Sequence, residues 1–134
     1  MRDRILVVDD EPALRRTLER ALGSMGYDVV SVGDPHLTYE LLDAAEYDLV
    51  VLDIHMPQMS GDTLAIALLR RWPKLVGRVL LMSGDPWALR ADWPEELRRC
   101  PLLVKPFTLD GLAALVRMTL AAPAPQAQRK RNGG

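Results

Sequence analysis

The chain has one cysteine, Cys100, so no disulfide can form within it. That suits a reducing cytoplasm, and a lone cysteine ahead of an apolar run reads first as a small buried hydrophobe. No apolar run approaches the roughly 18 residues that a membrane helix needs. Met1-Arg2-Asp3-Arg4 leads into four apolar residues and then acids. That is too short and too soon charged for a signal peptide. Charge of one sign is also missing: 17 Lys and Arg face 18 Asp and Glu, for a net charge of −1. The overall balance therefore points to neither a nucleic acid nor a membrane as partner. No internal repeat is present. What remains is 134 residues of ordinary apolar and charged content, enough for one domain with a sizeable core.

Four short apolar runs end in residues suited to phosphate or metal chemistry. Ile5-Leu6-Val7-Val8 runs into Asp9-Asp10, and Leu49-Val50-Val51-Leu52 into Asp53. Val79-Leu80-Leu81-Met82 runs into Ser83, and Leu102-Leu103-Val104 into Lys105-Pro106. Runs of this length fit strands buried on both faces of a parallel sheet. Ligands of open parallel sheets bind outside the carboxyl ends of the strands. One fold would thus gather three carboxylates, a hydroxyl and an ammonium at one edge. That set suits a divalent cation and a phosphoryl group.

Helical patterns alternate with these runs. Pro12 opens a helix carrying Leu14, Leu18, Ala21, Leu22 and Met25, and Gly26 ends it. Residues 27–32 read as a further strand. Asp34-Pro35 caps a helix with Leu37, Leu41, Leu42 and Ala45. Pro57 and Gly61 mark a loop before a helix bearing Leu64, Leu68 and Leu69, which Pro73 terminates. Residues 84–99 have helix formers at both ends but Pro94 inside, so a short, broken or kinked helix is expected. Thr108 caps the last helix, whose stripe is Leu109, Leu112, Leu115, Val116 and Leu120. The order is β-α five times: an α/β doubly wound, five-stranded parallel sheet with helices on both faces. Residues 122–134 are Ala, Pro, Gln, Gly and basic residues, and are expected to form a disordered tail after a domain over residues 1–121.

Each chemical residue also has a plain reading. Asp9-Asp10 suits a helix N-terminus, favoured by the helix dipole. Asp53 suits a turn, Ser83 a loop cap, and Lys105 a solvated position before Pro106. Their joint placement is more specific. Asp-Asp after the first strand, Asp after the third, Ser after the fourth and Lys-Pro after the fifth resembles the receiver domain of two-component response regulators, the CheY-like family. Met56-Pro57 and Gly61 fall where that family usually carries Met-Pro and Gly after its phosphorylated aspartate. The resemblance covers residues 4 to about 121 and implies a flavodoxin-like receiver fold.

The resemblance implies that Asp53 is the phosphoacceptor, taking its phosphoryl group from a histidine kinase, a phosphotransfer protein or a small phosphodonor. Asp10 and Asp53 would bind Mg²⁺ directly, His55 through its backbone carbonyl, and Asp9 mainly through a water. Lys105 and Ser83 would each hold a phosphoryl oxygen, and the Lys105-Pro106 bond would be cis. It further implies a cytoplasmic signalling protein, a monomer or weak dimer with a downstream protein target, that is not a turnover enzyme. The imidazole of His55 could instead ligate a transition metal, or face the cleft entrance and tune dephosphorylation, with Asp85 across that entrance. His36 reads as a surface residue.

The chain departs from the family at three places. Leu102 stands where an aromatic residue usually takes part in output. Gly84 replaces a common alanine. Trp87 and Trp93 lie in the expected broken helix, as local packing or as partner anchors, while Trp72 reads as packing at a helix end. Other function classes are a phosphate-independent scaffold (a pseudo-receiver), a Mg²⁺-dependent phosphatase, and nucleic-acid binding through Arg129-Lys130-Arg131. The first is opposed by retention of all five site residues. The second is weakened by His at position 55 in place of an acid. The third has too few charges for more than a salt-sensitive association.

Overall fold

A computed structural model describes residues 2–85 and 92–123. Trp87, the basic run at 129–131 and most of the expected tail lie outside the described residues. The elements are β1 (Arg4–Val8), α1 (Pro12–Ser24), β2 (Asp28–Val32), α2 (Thr38–Ala44), β3 (Leu49–Asp53), α3 (Gly61–Arg71), β4 (Val79–Ser83), α4 (Glu95–Arg98), β5 (Leu102–Val104) and α5 (Leu109–Ala121). All strand pairs are parallel, in the order β2-β1-β3-β4-β5. Among the described residues, no helix is long and apolar enough to cross a membrane.

The sheet separates two apolar layers, as alternate side chains of a strand must. Ile5, Val7, Leu49, Val51, Leu80 and Met82 pack against Leu18 and Leu22 of α1 and Leu112 and Val116 of α5. Leu6, Val8, Val50, Leu52 and Leu81 pack against Leu42 of α2, Leu64 and Leu68 of α3, and Leu97 of α4. The three central strands are buried on both faces, apart from the partial exposure of Arg4 at the start of β1. The fourth apolar run behaves differently. β5 is an edge strand, so Val104 is exposed although the run reads like the others.

Most helix boundaries follow their signals. Pro12 starts α1, and Gly26 takes φ +96° just past its end, a conformation open to glycine. The Thr108 hydroxyl accepts the Gly111 amide at 2.9 Å at the start of α5. Arg78 caps the other end of α5, donating to the carbonyls of Leu120 and Ala122. One expectation needs correction. Asp34 caps a short 3₁₀ turn over Pro35–Leu37, and α2 begins only at Thr38. The short helix expected around Pro94 is found, although residues 86–91 of that segment lie outside the described residues, and Pro94 stands at its N-cap. It precedes the single turn of α4, and its carbonyl accepts the amides of Leu97 and Arg98. A proline at that place costs no helical hydrogen bond.

Trp93 is buried in the α2–α4 layer, so the packing reading holds for it. Its indole N–H donates to Asp62 on α3 at 3.2 Å. Leu102 lies partly buried against the same layer. Trp72 packs there too, with its ring 6.3 Å from that of Tyr39. Cys100 is buried, and burial pushes its thiol up to about 12, as an inert hydrophobe requires. His36 is exposed.

Candidate phosphoacceptor and metal site

The ends of β1 and β3 lie side by side at the centre of the sheet, where the strand order switches direction. Asp9 and Asp10 leave β1, and Asp53 is the last residue of β3. Carboxylate oxygens of Asp9, Asp10 and Asp53 all lie within 4.8 Å of one another. Asp9 and Asp53 are buried, and Asp10 is half-buried. The start of α3 holds the Asp53 backbone closely. The Gly61 amide donates to the Ile54 carbonyl at 2.8 Å, and a methyl group at Gly61 would overlap the Asp53 carbonyl and Ile54 Cα.

Lys105 answers part of this negative charge. Its Nζ lies 3.1 Å from Asp53 Oδ2 and 4.0 Å from Asp9 Oδ2. It follows β5, its amide bonds the Ser83 carbonyl at 2.7 Å, and its bond to Pro106 is cis. The other Asp53 oxygen, Oδ1, accepts the His55 amide at 3.0 Å. Asp9 is less well served. Its Oδ1 accepts the Glu11 amide at 2.9 Å, but its Oδ2 is buried without a hydrogen-bond partner. Burial pushes the Asp9 carboxyl up to about 6, and the neighbouring charges of Asp53 and Asp10 add to the rise.

An orphaned carboxylate oxygen facing two further acids fits a small hard cation. Mg²⁺ prefers oxygen ligands and is bound through few carboxylates. Among the described residues, these three acids are the one group of His, Cys, Asp and Glu placed to hold an ion. The His55 imidazole is not in that group, against the transition-metal reading. It is exposed and its Nε2 lies 3.0 Å from Ser83 Oγ. Ser83 Oγ also accepts the Asp85 amide at 3.0 Å and reaches the Asp85 carbonyl at 3.3 Å. His55 and Asp85 thus meet at the Ser83 hydroxyl. At Gly84, a Cβ would meet open space.

The fold brings together every residue expected at the site, and adds one that sequence reasoning missed. Arg15 Nη1 donates to the Asp9 carbonyl at 2.8 Å. The signal for it is faint: an arginine one helical turn beyond the acids, its side chain directed back toward the helix start.

The comparisons agree with this geometry. Residues 5–117 match the family described as response regulator receiver domain. The chain is 34% identical over 119 residues to the DNA-binding transcriptional regulator NtrC of Bradyrhizobium sp. (strain RP501 Parasponia), covering 89% of this chain and 24% of that protein. The non-phosphorylated HemR receiver domain from Leptospira biflexa superposes with a TM-score of 0.81 at 26% identity, covering 92% of this chain and 98% of that one. The response regulator protein TrrA from Thermotoga maritima, in complex with Mg²⁺ and BeF, gives a TM-score of 0.75 at 30% identity, with coverage of 87% and 98%. The chain spans about a quarter to a half of the regulators it matches first. It belongs to the receiver-domain family of two-component response regulators.

Proposed function

We propose that Asp53 accepts a phosphoryl group from a phosphohistidine of a histidine kinase or phosphotransfer protein in the cytoplasm, and that the change alters binding of a downstream protein. The observation that carries this reading is the buried Asp9 Oδ2, which accepts no hydrogen bond, beside Asp10 and an Asp53 carboxylate paired with Lys105. Asp9, Asp10, Asp53 and the His55 carbonyl would hold Mg²⁺, an ion also named with the similar protein TrrA. When bound, Mg²⁺ offsets repulsion between the acids and the incoming phosphoryl oxygens.

In the transfer, a carboxylate oxygen of Asp53 attacks phosphorus and the P–N bond to the donor imidazole breaks. The imidazole nitrogen keeps the electron pair and takes a proton from solvent. A carboxylate is a weak nucleophile, so positioning and charge carry the rate. The His55 amide and Lys105 hold the two Asp53 oxygens in the resting site. After transfer Lys105 pairs with a phosphoryl oxygen as a compact charge, and the Ser83 hydroxyl leaves its present partners to donate to another. In-line attack of water on phosphorus then releases inorganic phosphate and restores Asp53. One group is handled per cycle, with no turnover of an external substrate.

The test is incubation with Mg²⁺ and acetyl phosphate, read by intact mass, beside Asp53→Ala and a chelated control. A gain of one phosphoryl group in the parent alone is the expected result. Beryllofluoride with Mg²⁺ should also raise the melting temperature of the parent and leave Asp53→Ala unmoved. A parent that gains no mass and shows no such shift would overturn the reading in favour of a phosphate-independent scaffold.

A further inference from the structure

We infer that Arg15 is a positioning residue for the acidic pocket, and that Gly33 is glycine in order to seat its guanidinium. The inference rests on the reading of this pocket as a Mg²⁺ site. Asp9 is held at three points: its amide donates to the Val32 carbonyl at 3.1 Å, its Oδ1 accepts the Glu11 amide, and its carbonyl accepts Arg15 Nη1 at 2.8 Å. That last carbonyl belongs to the peptide joining Asp9 to Asp10. A peptide unit is planar, so fixing its oxygen fixes the direction in which Asp10 leaves β1. One guanidinium on α1 thus aims both acids that the first strand contributes.

The second observation comes from the other side of the guanidinium. Gly33 directly follows β2, whose last carbonyl holds the Asp9 amide. A Cβ at Gly33 would lie 2.5 Å from Arg15 Nη1 and 3.0 Å from Cζ. Yet the φ of Gly33 lies outside the left-handed region that favours glycine. Its backbone does not call for glycine, and the only group a Cβ would have to move is the Arg15 guanidinium. A side chain at position 33 would drive the guanidinium off the Asp9 carbonyl. Two residues far apart in the sequence therefore form one device, with the guanidinium in a niche that Gly33 leaves open. Removing a group that orients metal ligands in this way typically costs about 10- to 100-fold in metal affinity.

The experiment compares the parent chain with Arg15→Met, Arg15→Lys, Gly33→Ala and the double variant Arg15→Met with Gly33→Ala. Mg²⁺ affinity is measured by calorimetric titration and by the Mg²⁺-induced rise in melting temperature. Melting in chelator reports the fold separately. Arg15→Met and Gly33→Ala should each weaken Mg²⁺ binding by about tenfold. The double variant should bind like Arg15→Met alone, because no guanidinium is left to displace. Arg15→Lys should recover part of the affinity, since it keeps a donor without the planar fork. Variants that bind Mg²⁺ like the parent would overturn the inference while leaving the Mg²⁺ reading intact. Additive losses in the double variant would do the same. A parent that binds no Mg²⁺ overturns both. If Arg15→Met does not fold, Gly33→Ala decides alone, since it retains every donor.

Discussion

Lys105 carries opposite consequences for the two partners of its site. Its ammonium sits within 4.0 Å of oxygens of Asp53 and Asp9, so it stabilises the pocket without metal and repels a cation entering it. At the effective dielectric of about 20 that suits sites near a protein surface, unit charges about 4 Å apart interact by about 4 kcal/mol, so neither effect is small. Lys105→Met should therefore bind Mg²⁺ more tightly, by about fivefold or more after relaxation. The same variant should accept phosphate from acetyl phosphate about 100-fold more slowly, having lost the cation that meets the developing negative charge. Calorimetric titration and initial rates by intact mass measure both effects on one sample. Affinity and rate moving apart identifies a charge effect, whereas general disruption lowers both. Each of these residues could be picked out in the sequence because it follows an apolar run directly. The contact between His55 and Ser83 was not legible, because 28 residues separate the two and only the neighbouring strand ends bring them together.

Among the elements, α3 is placed by contact rather than by propensity. Alanine is the better helix former, yet Gly61 is its first residue because a methyl group there would overlap the backbone of Asp53 and Ile54. Gly61→Ala should cost about 1–3 kcal/mol in a urea titration, as overpacking against unyielding backbone does. It should also slow phosphoryl acceptance, since displacing the reacting group by about 1 Å can cost about 100-fold. Gly84→Ala is the contrast: open space surrounds its Cβ, so it should be neutral or stabilise by up to about 1 kcal/mol. Elements with strong local signals were legible in the sequence: the strands from their apolar runs, α1 from Pro12 and Gly26, and α5 from Thr108. Where tertiary contact decides, the sequence was silent. The edge position of β5 follows from strand order, which composition does not carry. The shortness of α4 was legible from Pro94, but the inward turn of Trp93 to Asp62 was not. The seating of Arg15 against Gly33 depends on two strand ends meeting.

The whole molecule divides its tasks between a core of two predominantly apolar layers and one edge that concentrates negative charge. The core supplies the stability, and the edge draws on it. Asp9 is the clearest case, because burial and its acidic neighbours raise its carboxyl from 3.8 to about 6. A raised folded-state value means that the folded chain binds this proton more tightly than the unfolded chain does. The stability it contributes is present below about pH 4 and is lost as pH rises through about 6. In chelator, the parent should therefore lose stability relative to Asp9→Asn across that window, by roughly 2–3 kcal/mol in total. The comparison with Asp9→Asn isolates this group from carboxylates of opposite behaviour. Asp62 is one: burial would raise its carboxyl, but the Ser60 hydroxyl, the Thr63 amide and the Trp93 indole together hold it lower, so its contribution is lost in acid. Urea titrations from pH 4 to pH 7 measure the difference directly, and a difference that does not change with pH would refute the assignment. Metal binding should reverse the order. At pH 7, Mg²⁺ should raise the melting temperature of the parent more than that of Asp9→Asn, and at pH 5 the advantage should shrink as the proton competes for the same oxygens. The edge is then the part of the fold where burial of like charges costs stability, and the apolar core beneath it offsets that cost.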